Sequence, residues 1–129
     1  MEQDCCKTAI YDLLYRLGVT ANYTGFFHMA CAVSLCLEQP KRLLLVTKWL
    51  YPEVAKHYGT NWKAVERNIR SMNEIAWQEN RPLLEKLAHR QLTQKPRNAQ
   101  MLAILVSALE AGPLALREPG DETTEQTKN

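Results

Sequence analysis

The chain has 129 residues, of which 46% are hydrophobic and 23% charged. That length suits one compact domain with its own core, and the composition excludes a wholly disordered protein. No apolar run approaches the roughly 18 residues needed to cross a bilayer, and the first residues lack the basic and apolar regions of a signal peptide. We therefore expect a cytoplasmic protein with no membrane partner.

The formal net charge of +2 is distributed unevenly. Residues 1–112 hold 14 of the 16 basic residues and 10 of the 14 acidic ones, a net charge of +4, whereas residues 113–129 carry −2. The sequence predicts one domain over residues 1–112 and an acidic, disordered tail over residues 113–129. A positively charged domain suits a polyanionic partner.

Helical periodicity dominates the first half of the domain, and no alternating stretch predicts a sheet. A first helix is expected over residues 8–17 and ends at Gly18, which favours the left-handed conformation of a helix stop. A turn is expected over residues 22–25, followed by a mostly apolar second helix over residues 26–37. Pro40 interrupts that helix, and a third helix is expected over residues 41–50.

The next segment has the pattern of a helix-turn-helix. A short helix is predicted over residues 51–58, Gly59 ends it, and Thr60 or Asn61 caps a longer helix that reaches about residue 78. The small residues Ala55 and Gly59 are expected where the two helices cross closely. In the longer helix the residues at helical spacing that should face the core are Val65, Ile69, Met72 and Ala76.

Two further helices, over residues 82–90 and 99–110, complete the prediction, with a loop around residues 95–98. The expected fold is therefore all-α, a compact bundle that contains a helix-turn-helix.

The outward face of the longer motif helix carries the residues of greatest functional interest. Lys63, Arg67 and Arg70 share one stripe at positions i, i+4 and i+7, and Glu66 lies beside them. Arginine can donate twice to guanine, and glutamate can accept from the cytosine amino group. Glu66 and Arg70 are equally an ordinary helix-stabilising pair. The spacing alone thus leaves DNA binding and a plain helical bundle equally open.

The residues offer little support for catalysis or for a cofactor. The sequence contains no nucleophile elbow, phosphate-binding glycine loop or H-E-x-x-H motif. His28, Cys31 and Cys36 lack a fourth ligand at zinc-like spacing, so the cysteines are expected to be reduced thiols. The tryptophans at positions 49, 62 and 77 are interpreted as packing residues. We predict neither an enzyme nor a bound cofactor or metal.

Several motifs resemble one known family in order along residues 8–110. They are LGVTA at 17–21, YTGF at 23–26, LYPEVAK at 50–56, VERNIR at 65–70, AW at 76–77 and KPRNA at 95–99. Together they resemble the C-terminal DNA-binding effector domain of the stage-zero sporulation transcription factor A, the master response regulator of endospore formation. Generic helix-turn-helix proteins do not share this set of motifs.

The resemblance implies about six helices, with the second motif helix in the major groove of double-stranded DNA. It implies base-facing roles for Glu66, Arg67 and Arg70. Contacts with the DNA backbone are predicted for Lys48, Lys56, Asn61, Lys63 and Ser71. The family also implies self-association on tandem sites and contact with the sigma subunit of RNA polymerase.

The chain departs from the family pattern at several places. The family usually has arginine at the position of Ala64 and histidine at that of Ser71, so a different DNA element is expected. The segment between Trp77 and Lys95, which contacts the sigma subunit in the family, is about four residues shorter here. No receiver domain fits before the first helix. These departures leave an alternative, a protein-interaction module that kept the fold and lost operator recognition.

Overall fold

A computed structural model of the protein describes residues 2–112, with side chains from residue 7 onward. Within that range the chain forms an all-α bundle, which confirms the predicted class. The helices are α1 (Glu2–Arg16), α2 (Thr24–Glu38), α3 (Val46–Trp49), α4 (Tyr51–Tyr58), α5 (Trp62–Glu79), α6 (Arg81–Ala88) and α7 (Asn98–Ala111), with a 3-10 helix at Pro40–Leu44. Six of them have eight or more residues, in agreement with the number that the resemblance implies. The predicted tail at 113–129 lies outside the described residues.

The predicted third helix over residues 41–50 is wrong. The chain instead forms the 3-10 helix and the four-residue α3, separated at Leu45, whose φ and ψ of −143° and 78° are not helical. The break lets Leu43 and Val46 pack against the core while Leu44 and Leu45 face outward. Only two of the four consecutive apolar residues at 43–46 therefore contribute to the core.

Helix α2 lies at the centre of the bundle and contacts α1, α4, α5 and α7. The predicted turn at 22–25 ends sooner than expected, because Tyr23 caps α2 and Thr24 and Gly25 already belong to it. Early entry into the helix places Gly25 directly against α5. A Cβ atom at Gly25 would lie 2.6 Å from the carbonyl oxygen of Asn68 and 2.7 Å from Cγ of Met72.

Gly18 has a similar function at the end of α1. Its φ of +92° is in the region that favours glycine, and a Cβ atom there would lie 2.5 Å from Cβ of Glu79 at the end of α5. The side chain of Asn80 reinforces this junction, since its Nδ2 donates to the carbonyl oxygen of Arg16 at 2.7 Å. Helix α5 is thus fixed near its middle by α2 and near its end by the α1 turn.

The contact at Gly25 gives the first testable prediction. Alanine normally stabilises a helix relative to glycine by about 0.5–1 kcal/mol, but here its methyl group would overlap the α5 backbone. We expect Gly25→Ala to lower the free energy of unfolding by about 1–3 kcal/mol, the usual cost of overpacking. Urea denaturation measures the change. Thr24→Ala, an exposed neighbour, is the control and should stay within about 0.5 kcal/mol of the wild type; a variant of Gly25 more stable than wild type contradicts the predicted overlap.

Candidate nucleic-acid interface

The helix-turn-helix consists of α4, the turn at Gly59 and α5. Gly59 adopts the left-handed conformation with φ 63°, and the backbone N–H of Thr60 donates to the carbonyl oxygen of Ala55 at 3.0 Å. Asn61 then caps α5, its Oδ1 accepting from the backbone N–H of Ala64 at 2.9 Å. Of the two caps that the sequence left open, Thr60 and Asn61, the structure uses Asn61.

The predicted reason for a small residue at Gly59 is wrong. Apart from its chain neighbours, no residue comes within 4 Å of where its Cβ would be, so the position requires glycine for its backbone conformation rather than for a close crossing. Ala55 and Val65, by contrast, are buried between the helices as expected. A close approach to α5 occurs instead at Gly25, which belongs to α2 rather than to the motif.

Helix α5 separates its apolar and polar residues as the spacing predicts. Val65, Ile69, Met72 and Ala76 are buried, whereas Lys63, Arg67 and Arg70 are exposed on the opposite side. Three cations on one exposed stripe of a helix form a surface suited to a polyanion. The structure therefore brings together the residues that the sequence predicted as one face.

Two of the predicted base-contacting residues already contact each other. The guanidinium of Arg70 donates to Oε1 of half-buried Glu66, one helical turn away. This hydrogen bond, together with the negative charge of Glu66, raises the pKa of Arg70 above its ordinary value. Glu66 thereby restricts where the Arg70 guanidinium can point before any ligand is present.

The residues predicted to contact a nucleic-acid backbone belong to α3, α4, α5 and the cap of α5. Lys48 is in α3, Lys56 is in α4, and both are exposed, as is Lys63. Asn61 uses its side-chain oxygen as the cap of α5, which leaves its amide nitrogen as the group able to donate to a phosphate. Ser71 donates its hydroxyl to the carbonyl oxygen of Arg67 at 3.2 Å. Its phosphate contact stays a prediction that requires this internal bond to open.

The interpretation of the tryptophans as packing residues is wrong for two of the three. Trp77 packs against the core, and the Arg81 guanidinium covers its ring at 4.3 Å. Trp49 and Trp62 are instead 43% and 40% exposed. Trp62 is the first residue of α5, so the polar face begins with a large apolar side chain.

A set of polar contacts that was not predicted from the sequence links α5 to residues 95–98. Asn98, at the start of α7, donates to the carbonyl oxygen of Glu66 at 3.1 Å. Buried Asn73 donates to the carbonyl oxygen of Pro96 at 2.7 Å. Lys95 forms an ion pair with Glu74. The KPRNA motif at 95–99 was the available signal, although nothing in the motif indicates which helix it contacts.

A buried histidine also contacts α5. His28 of α2 is 3% exposed, its Nδ1 lies 3.3 Å from Nδ2 of Asn68, and its ring lies 5.1 Å from the ring of Tyr58 at the end of α4. Burial lowers the pKa of His28. Since an amide nitrogen only donates, this contact requires an unprotonated Nδ1.

The two cysteines with described side chains behave as inert thiols. Cys31 and Cys36 are free, and burial raises the pKa of each to about 11. Within the described range no cluster of three or more histidine, cysteine or acidic side chains is placed to bind a metal ion. The side chains of Cys5 and Cys6 lie outside that range. None of the described helices combines the length and apolarity needed to span a membrane.

The fold and this surface define an all-α helix-turn-helix domain whose second motif helix presents a stripe of three cations. A family model described as sporulation initiation factor Spo0A C terminal matches residues 10–109, and the chain belongs to that family. The family is the DNA-binding effector domain of a sporulation regulator of transcription, not a class of enzymes. The resemblance drawn from the sequence motifs is confirmed.

The burial of His28 predicts how stability depends on pH. Because its pKa is lower in the folded protein than the unfolded value of 6.5, the unfolded chain binds a proton first as the pH falls. The stability associated with neutral His28 is therefore fully present above about pH 6.5 and is lost as the pH falls from there toward the folded pKa. We expect the free energy of unfolding to fall more between pH 7.5 and pH 5.5 for the wild type than for His28→Gln.

Urea denaturation at the two pH values measures this difference. His57→Gln is the matched control, because His57 is exposed, and it should follow the wild-type pH dependence. Equal losses for wild type and His28→Gln would show that protonation of His28 is not coupled to unfolding.

Proposed function

We propose that the protein is a sequence-specific regulator of transcription that binds double-stranded DNA with α5 in the major groove. The observation that carries the proposal is the exposed stripe of Lys63, Arg67 and Arg70, opposite the buried side of the same helix. A helix of this kind fits the major groove, which is about 12 Å wide. The family, a DNA-binding domain, supports the same function.

In this proposal Glu66, Arg67 and Arg70 contact bases. Arginine donates to O6 and N7 of guanine, and glutamate accepts from N4 of cytosine. The ion pair between Glu66 and Arg70 holds these two groups side by side. This ion pair therefore favours a DNA sequence in which a cytosine amino group and a guanine edge are neighbours in the major groove.

In this proposal the exposed lysines position the protein on the DNA and do not distinguish one base sequence from another. Lys48, Lys56 and Lys63 supply exposed positive charge, and with Asn61 and Ser71 they bind the DNA backbone in this proposal. The departures from the family at Ala64 and Ser71 alter two positions of the motif helix. We therefore propose an operator related to the family's element but not identical to it.

The proposal includes a domain over residues 1–112, self-association on tandem sites and contact with the sigma subunit through the segment that contains α6. It also places the protein in the cytoplasm, where bacterial DNA is accessible. These partners rest on the family resemblance.

The experiment that tests the function is the selection of bound duplexes from a random DNA pool, with the whole protein at near-physiological salt. Enrichment of one motif supports sequence-specific binding. The affinity for that motif should fall as the salt concentration rises, because phosphate contacts release counterions. Failure of a folded sample to enrich any motif contradicts the proposal.

Replacement of Arg67 separates base recognition from phosphate contact. If Arg67 makes a bidentate contact with guanine, we expect Arg67→Ala to weaken binding to the selected operator by about 1–3 kcal/mol and to affect random DNA much less. Titration of fluorescent duplexes at fixed salt measures both affinities. Arg90→Ala removes an exposed cation after α6 and should leave the difference between the duplexes unchanged. Equal losses on both duplexes would assign Arg67 to the phosphates.

One observation favours a second candidate function, the protein-interaction module. Leu44, Leu45 and Trp49 expose 76%, 49% and 43% of their surface. Trp49 also lines a groove of about 750 Å³, together with Pro40, Pro52 and several charged side chains. Neighbouring exposed apolar residues are typical of protein-binding surfaces. A protein complex that forms with wild type and Arg67→Ala but not with Leu45→Asp, together with no enriched DNA motif, would favour this candidate.

A further inference from the structure

The start of the recognition surface is apolar. Trp62 is the first residue of α5, directly after the cap at Asn61, and 40% of its surface is exposed. In helix-turn-helix proteins the N-terminal residues of the second motif helix contact base edges. Trp62 thus occupies one of the positions closest to DNA under the proposed function.

The helical spacing aligns Trp62 with two residues of the proposed base-reading set. Glu66 and Arg70 follow it at i+4 and i+8, and side chains at this spacing share one side of a helix. The ion pair between Glu66 and Arg70 shows that side chains at this spacing reach each other across one helical turn. Trp62 extends the same line by one turn toward the N-terminus.

A charged side chain lies close to the Trp62 indole. The Lys63 ammonium lies 5.9 Å from the centroid of the Trp62 ring, at the edge of cation–π range. Lys63 therefore brings a phosphate-binding group next to the apolar ring. Within the major groove, the base group that matches an apolar side chain is the thymine 5-methyl group.

We infer that Trp62 is a specificity-determining residue that contacts the 5-methyl group of a thymine in the operator. This inference rests on the proposed function. It adds an apolar base contact to the charged contacts of Glu66, Arg67 and Arg70, and it assigns that contact to the end of the operator half-site nearest the start of α5.

Deoxyuridine supplies a direct test, since it lacks only the methyl group of thymine. Each thymine of the selected operator is replaced singly by deoxyuridine, and the affinity of the whole protein is measured by fluorescence anisotropy at one salt concentration. At one position we expect wild-type binding to weaken about fourfold, the factor that corresponds to one buried CH₂-sized group. Trp62→Ala should bind the thymine and deoxyuridine duplexes of that position equally.

Two variants serve as controls. Trp62→Phe keeps an apolar ring without the N–H group and should retain part of the discrimination. Tyr23→Ala removes an aromatic residue of similar exposure outside α5 and should retain all of it. Circular dichroism establishes that each variant is helical, and Trp62→Phe carries the test if Trp62→Ala does not fold.

The outcomes separate this inference from the proposed function. If wild type binds an operator and Arg67→Ala weakens that binding, but Trp62→Ala still discriminates deoxyuridine, the thymine contact is overturned alone. An equal loss for Trp62→Ala on every duplex also overturns it and assigns the indole to the DNA backbone. A random pool that yields no operator overturns both.

Discussion

The close approach of α2 and α5 at Gly25 sets the geometry on which the recognition surface depends. With only a hydrogen at that position, the backbone of α5 near Asn68 can lie against α2. This contact directs Val65, Ile69 and Met72 inward. Because successive residues of a helix are fixed at about 100° to one another, the same contact directs the cations outward. The orientation of the polar face is therefore determined by packing on the opposite side of the helix.

Polar contacts then fix the position of α5 along and around its axis. Asn98 forms two of these contacts. Its amide nitrogen donates to the backbone carbonyl of Glu66 at 3.1 Å, and its amide oxygen accepts from Nδ2 of Asn73 at 3.5 Å. One amide thus joins the start of α7 to two turns of α5. Apolar packing tolerates small sliding movements, whereas directional hydrogen bonds to a backbone carbonyl do not. This combination restrains the position of α5, as its proposed role in reading a DNA sequence requires.

The predictable parts of the fold and site are those in which local sequence decides the outcome. The limits of α5, its cap at Asn61 and its two faces follow from spacing and capping chemistry, and the structure agrees. The break at Leu45 was not predictable, since four consecutive apolar residues carry no period that distinguishes one helix from two short turns. The exposure of Trp62 was missed because aromatic residues usually pack. The link from Asn98 to Glu66 spans 32 positions, and no local pattern indicates it.

The two arginines of the recognition face differ in freedom although they share a stripe. Arg70 is held by Glu66, whereas Arg67 forms no ion pair with any residue in the described range. An unpaired arginine loses more side-chain entropy when a ligand orders it, but it gives up no existing partner. Arg70 is pre-oriented, and under the proposed function its contact with guanine has to be compatible with the carboxylate beside it. In that proposal Arg70 and Glu66 act as one recognition unit, and Arg67 acts as a second that adapts to its base independently.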